Sequence, residues 1–185
     1  MNKIDYGVID NFIPSDAFDE LKTFLLSSGE RGKGKQNDSE KLPWYHTPAG
    51  YAVNRDFKKP DSTRNWRLFY LTHMIYSDTI TSPYYERILS HCCEQLDIKS
   101  LIRVKINMYP NTEKIYEHGM HFDYHFPHKG AILSINTCDG YTKFEDGTKI
   151  DSVANRLLLF DASKLHSSTT TTNQPVRINI NINFF

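Results

Sequence analysis

The chain closes on VRINININFF, and residues 176–183 alternate without a break. Val176, Ile178, Ile180 and Ile182 stand against Arg177, Asn179, Asn181 and Asn183. A period of two turns successive side chains to opposite faces, so the segment is a β-strand with one apolar and one polar face. The apolar face has to be covered, and two amphipathic segments nearer the N-terminus can cover it. The polar face is unusual, because an outer sheet surface normally carries lysine and glutamate rather than an arginine and three asparagines. That row suits the lining of a polar cavity. A solvated edge strand would also accept it, and the strand alone does not choose.

A second segment has the same texture. LIRVKINMY, from residue 101, sets Ile102, Val104, Ile106 and Met108 against Arg103, Lys105, Asn107 and Tyr109. AILSINTC and RLLLF read as short buried strands, and TKFEDGTKI reads as a hairpin turning at Asp146-Gly147. Many short strands with regular turns predict a sandwich or small barrel.

The first hundred residues read differently. Residues 4–13 predict a strand, followed by a helix capped by Ser15 with Phe18, Leu21, Phe24 and Leu25 on one face. Residues 27–41, SSGERGKGKQNDSEK, have no period and read as a mobile surface loop. Residues 66–76 predict a long, well-buried strand. Ser82-Pro83 predicts the start of a second helix, with Tyr85, Ile88, Leu89, Cys92 and Leu96 as its stripe and Cys92 as a small core residue. With 185 residues the chain is expected to be one domain, 1–185, made of a supporting half (1–100) and a strand-rich half (101–185).

Bulk properties narrow the function. Lysines and arginines (22) equal aspartates and glutamates (22), so the charge excess expected of a sequence-blind nucleic-acid binder is missing. Three cysteines, two of them adjacent, do not make a disulfide framework, and no apolar run is long enough to span a bilayer. The expectation is a soluble, intracellular (cytoplasmic) protein with no membrane partner.

Residues 118–128, HGMHFDYHFPH, hold four of the eight histidines and one aspartate. Gly119, Pro127 and the aromatics argue against a helix. On a strand, His121 and Asp123 face the same side. A lone H-x-D is weak evidence and needs a third ligand. His166 is the candidate, following the buried strand RLLLFD. Two histidines and one carboxylate on one side of an octahedron suit non-haem Fe(II) with positions left open. Arg177 comes eleven residues after His166. The turn TTNQP is expected to make their strands antiparallel neighbours, with Arg177 deeper in the barrel at about the reach of a metal-held dicarboxylate.

Together H-F-D at 121–123, His166 after RLLLFD, and Arg177 in VRIN resemble the 2-oxoglutarate- and Fe(II)-dependent oxygenases. The branch they are most similar to is the prolyl-4-hydroxylase-like one, including its small phage and bacterial members. The motifs cover residues 101–185, and the opening strand and helix follow the family more loosely. The resemblance implies a double-stranded β-helix (a cupin-like jelly roll) packed on N-terminal helices. It implies Fe(II) held by His121, Asp123 and His166, with 2-oxoglutarate and O2 as co-substrates and ascorbate as an optional reductant. Arg177 would clamp the distal carboxylate of 2-oxoglutarate, helped by Asn107, Tyr109, Ser134 and Asn179. Ser134 stands where many relatives have a tyrosine. Thr142 in D-G-Y-T retains the threonine of the commoner Gly-Gly-x-Thr.

The implied reaction is hydroxylation of an unactivated C–H bond, on a protein or peptide side chain such as proline, with release of succinate and CO2. A nucleic acid base or small molecule is the alternative substrate, with Arg103, Lys105, Arg31, Lys33 and Lys35 available for phosphates. A non-catalytic jelly-roll binding module is the alternative of another class. His118, His125 and His128 are expected as half-exposed loop histidines, with His125 alternatively at the substrate mouth. His46 and His73 are expected as hydrogen-bonded interior residues, and Trp44, Tyr45 and Trp66 as core rather than groove.

Overall fold

A computed structural model describes residues 6–27, 42–48, 69–93 and 95–185. Of the loop expected at 27–41, Ser27 instead ends a helix, and residues 28–41, with Arg31, Lys33 and Lys35, lie outside the described residues, as do Trp66 and the first residues of the 4–13 and 66–76 segments. The order is β1 (Tyr6–Ile9), α1 (Ser15–Ser27), β2 (Tyr45–Pro48), β3 (Phe69–Ser77), β4 (Thr79–Ile80), α2 (Tyr85–Cys93) and β5 (Leu101–Pro110). It continues with β6 (Lys129–Ser134), β7 (Tyr141–Phe144), β8 (Lys149–Asp151), β9 (Arg156–Asp161), β10 (His166–Ser168) and β11 (Val176–Phe184).

The strands make two sheets. The larger runs β1-β9-β6-β11-β5-β3-β2 with β4 on β3, and the smaller runs β10-β7-β8. The chain passes back and forth between them, which makes the double-stranded β-helix. β11 is central rather than an edge, flanked by β5 and β6 in antiparallel register. Its asparagines are therefore not solvated. Asn179 is 1% exposed and Asn183 is fully buried.

The apolar face of β11 packs as the alternation requires. Ile178, Ile180 and Ile182 join Val104 and Ile106 of β5 and the helix residues Phe18, Leu21, Leu25, Ile88 and Leu89 in one core. Each such side chain contributes roughly 2 kcal/mol through removal from water. This helix-backed core fixes which face of the large sheet points inward. The β7–β8 hairpin turns as expected. Gly147 N–H donates to the Phe144 carbonyl at 3.0 Å, and Gly147 takes φ 88°, a left-handed conformation that suits glycine.

Several expectations are corrected. Phe18 N–H donates to the Pro14 carbonyl, so Ser15 is the first helical residue and not the cap. Ser82 does cap the second helical segment, accepting from Tyr84 N–H, but regular helix starts at Tyr85, and Leu96 packs from a turn beyond it. β10 and β11 are not neighbours. β10 pairs β7 in the small sheet and β11 is already paired on both edges in the large one. The segment between them crosses between sheets, which a short turn motif does not reveal. Among the described residues no helix is long and apolar enough to cross a membrane.

Candidate metal centre

His121 and His166 are brought together by a two-way backbone bridge. His121 N–H donates to the His166 carbonyl at 2.9 Å, and His166 N–H donates to the His121 carbonyl at 2.8 Å. Asp123 follows two residues on, its N–H held by the Ala162 carbonyl. One ligand atom from each of His121, Asp123 and His166 then lies within 4.8 Å of the others.

The tautomers suit a metal. Nδ1 of His121 bonds the Gly119 carbonyl at 3.2 Å and Nδ1 of His166 bonds the Lys164 carbonyl at 2.9 Å. A carbonyl only accepts, so each Nδ1 carries the proton and each Nε2 keeps its lone pair. Burial pushes the His121 imidazole down to about 4, helped by His166, and burial also lowers His166. Both rings are neutral near pH 7.

Asp123 has a side chain only 2% exposed. Burial alone would raise its carboxyl, but Arg103, with His166, Lys105 and His121, overrides this and holds it well below the usual carboxylate range. Arg103 Nη2 donates to Oδ1 at 2.6 Å, and Asn183 Nδ2 donates to Oδ2 at 2.9 Å. Two imidazole nitrogens and one carboxylate oxygen brought this close together form a donor set that fits Fe(II).

The cleft encloses about 400 Å3, its open mouth included. His121 and His166 line it with Asn107, Tyr109 and Asn179, three of the expected co-substrate residues. Ser134 stands opposite Asn179 in register and is buried, but it does not reach the cleft.

Arg177 sits one layer back and is 1% exposed. Its guanidinium lies 5.2 Å from the ring centre of Tyr109, which does line the cleft. Nη2 donates to Thr142 Oγ1 and Nη1 to the Thr169 carbonyl, while Nε has no partner. It forms no ion pair with any described residue. A Cβ on Gly140 would lie 2.6 Å from Arg177 Cδ, so this glycine of D-G-Y-T makes room for the arginine.

The remaining aromatic and histidine expectations divide. His73 is interior, bonded to the Pro43 carbonyl and Ser82. Trp44 packs against the core, whereas Tyr45 is 62% exposed and His46 lies on the surface beside Phe69. β2 ends the large sheet among the described residues, and both side chains are exposed there. His125 is exposed. His118 and His128 are not loop-surface residues, for both are 6% exposed. His118 lines the cleft with an unpartnered Nε2, and His128 lies against Asn183.

Other residues take roles that the sequence did not assign to them. Tyr70, Lys105 and Asn181 line the cleft, and Arg103 and Asn183 hold Asp123. All but Tyr70 sit on the polar faces of β5 and β11, so their alternation was the available signal.

No family model matches the sequence, and no curated protein does. Solved structures do. A prolyl-4-hydroxylase from Pseudomonas putida matches at 12% identity over 98% of this chain and 93% of its own, with a TM-score of 0.57. A viral collagen prolyl hydroxylase from Paramecium Bursaria Chlorella virus-1, solved with 2-oxoglutarate, matches at 14% over 100% and 98%, TM-score 0.57. A 2OG-Fe(II) oxygenase family oxidoreductase from Burkholderia pseudomallei matches at 9% over 97% and 84%, TM-score 0.60. The chain therefore has the fold of the 2-oxoglutarate- and Fe(II)-dependent oxygenases, in the double-stranded β-helix form that prolyl-4-hydroxylases adopt.

Proposed function

We propose that the protein is a 2-oxoglutarate-dependent non-haem Fe(II) dioxygenase that hydroxylates an unactivated C–H bond. The observation that carries this is the His121–Asp123–His166 cluster together with a buried arginine, Arg177, that has no counter-ion among the described residues and packs against the cleft-lining Tyr109. A zinc hydrolase would use the three ligands but would give Arg177 no task. Bound Fe(II), with 2-oxoglutarate and O2, supplies the oxidising power.

The residues of the chain do the rest. His121, Asp123 and His166 hold the metal, with Arg103 and Asn183 fixing the carboxylate. Arg177 meets the distal carboxylate of 2-oxoglutarate, for which planar guanidinium geometry is suited, and Thr142 steadies it. Asn107 and Asn179, bonded to each other at 3.0 Å, and Tyr109 orient the co-substrate. The isoleucine Ile132 and the ring of Tyr70 limit water at the cleft wall. The substrate reading is a protein or peptide side chain such as proline, supported by the prolyl hydroxylases that share the fold.

The test is anaerobic titration of metal-free protein with Fe(II) and 2-oxoglutarate, followed by visible absorption. A charge-transfer band is expected with 2-oxoglutarate, absent with succinate and absent in Asp123→Ala. Failure of both Fe(II) and 2-oxoglutarate to bind would overturn the assignment and leave a binding module.

A further inference from the structure

Lys105 is a cation in the cleft for which the proposed reaction has no use. It extends from β5 onto the cleft wall beside His121 and His166. Its nearest aromatic is Tyr70, whose ring centre is 6.0 Å from Nζ. Lys105 makes no hydrogen bond or ion pair with any described residue. Asp123, the carboxylate that acts on it electrostatically, is already engaged: Arg103 takes Oδ1, and Asn183 and Asn181 take Oδ2. Across the strand pair Lys105 faces Asn181, whose Oδ1 is buried without a partner.

A half-buried ammonium beside two metal-binding imidazoles is electrostatically unfavourable, and a dication between those imidazoles adds to the repulsion. An anionic guest relieves it. Arg177 is not a rival for the same group. Its register partner on β5 is Tyr109, four residues from Lys105, which is roughly 13 Å along the strand. The two cations thus stand at opposite ends of the Asn107–Asn179 row.

Resting on the oxygenase reading, we propose that Lys105 is a specificity-determining residue that seats a carboxylate of the substrate next to the metal. The molecule oxidised is then an acidic one, a carboxylate-bearing small molecule or residue, held with its anionic group on the Lys105 ammonium, while the free Asn181 Oδ1 is left to accept from that ammonium or from a donor group of the same guest.

Acetate and its neutral isostere acetamide are the probes, read by two-dimensional 15N–1H spectra. The titrations are done first on metal-free protein, then with Zn(II) and saturating 2-oxoglutarate as a diamagnetic stand-in. Acetate is expected to shift the Lys105 and Asn181 signals saturably in both states, and acetamide is not. Lys105→Met is expected to raise the acetate Kd at least tenfold and Lys105→Arg to keep it within threefold, both with a 2-oxoglutarate Kd within twofold of wild type. Equal responses to acetate and acetamide, or an unchanged acetate Kd in Lys105→Met, would overturn the proposal. A tenfold weaker 2-oxoglutarate in Lys105→Met, with acetate unaffected, would assign the seat to the co-substrate and overturn the substrate assignment. Failure of Zn(II) and 2-oxoglutarate to bind would instead sink the oxygenase reading, and the metal-free titration would still decide Lys105.

Discussion

Arg103 Nη2 lies 2.6 Å from Asp123 Oδ1, an ion pair whose side chains are 17% and 2% exposed. The same Nη2 also donates to Asn183 Oδ1 at 3.0 Å, so arginine, asparagine and aspartate form a closed set behind the metal face. Shielded from solvent, such a pair holds its carboxylate in one orientation and keeps it ionised. Arg103→Met removes the main counter-charge and leaves Asp123 buried, so its carboxyl rises. Protons then compete better with the metal. The expected outcome is Mn(II) affinity weakened about tenfold at pH 7, with its loss on acidification beginning at higher pH than in wild type. Calorimetric titrations at pH 5.5, 6.5 and 7.5 check this, and parallel pH curves for the two proteins would refute it.

Arg177→Met keeps an unbranched aliphatic stem and removes the guanidinium that lies over Tyr109, and with it the charge. The expected result is 2-oxoglutarate affinity reduced about a hundredfold, in line with loss of a bidentate charged pair, with Mn(II) affinity unchanged. Equilibrium binding of 14C-labelled 2-oxoglutarate to the Mn(II) protein measures it. Unchanged affinity would move the distal carboxylate to another residue.

Gly140→Ala tests the space for that arginine. The new methyl would meet Arg177 Cδ at 2.6 Å and the Thr170 carbonyl at 2.7 Å. A backbone oxygen gives way less readily than a side chain, so the fold is expected to lose about 1–3 kcal/mol. In the folded fraction, 2-oxoglutarate binding weakens while Mn(II) binding persists. Urea unfolding and the same binding assay read the two effects separately.

His118 supplies a pH dependence. Burial lowers its imidazole from 6.5 to about 4, helped by the nearby Arg177 charge. The folded state therefore binds this proton less well than the unfolded chain does. Above pH 6.5 the difference contributes nothing, and stability is lost as pH falls from 6.5 towards 4. By pH 5 the loss from this one residue is about 2 kcal/mol. His118→Phe retains a ring beside Tyr70 and Tyr109 and is expected to remove that part of the acid sensitivity. Urea unfolding of metal-free protein at pH 7 and pH 5 gives the comparison, and an equal pH 7-to-5 loss in both proteins would contradict it.

Much of this molecule is written locally. The alternation in residues 176–183 states that Ile178, Ile180 and Ile182 share a face, and that face is the core. The spacing of His121 and Asp123, with His166 after a buried strand, was enough to nominate the cluster that the fold assembles. The first is a consequence of a two-residue repeat within one strand, so consecutive residues suffice to read it. The second is not, because residues 121–123 form no strand: His121 makes an isolated bridge to His166 of β10, and that bridge together with the Ala162 carbonyl sets the ligands.

What the sequence left open concerns partners far apart in the chain. Whether the asparagines of β11 faced water or a cavity was settled by β5 and β6 closing on both of its edges. The turn after His166 looked like a hairpin, yet it carries the chain from one sheet to the other. Arg103 meets Asp123 across 20 residues and Asn183 across 80. The burial of His118 depends on Tyr70 from β3, well upstream. Residue type and period determine which way a side chain points from its own strand. Which side chains then meet, and which charges are left without a partner, depends on how the two sheets are laid over each other, and tertiary packing alone decides that.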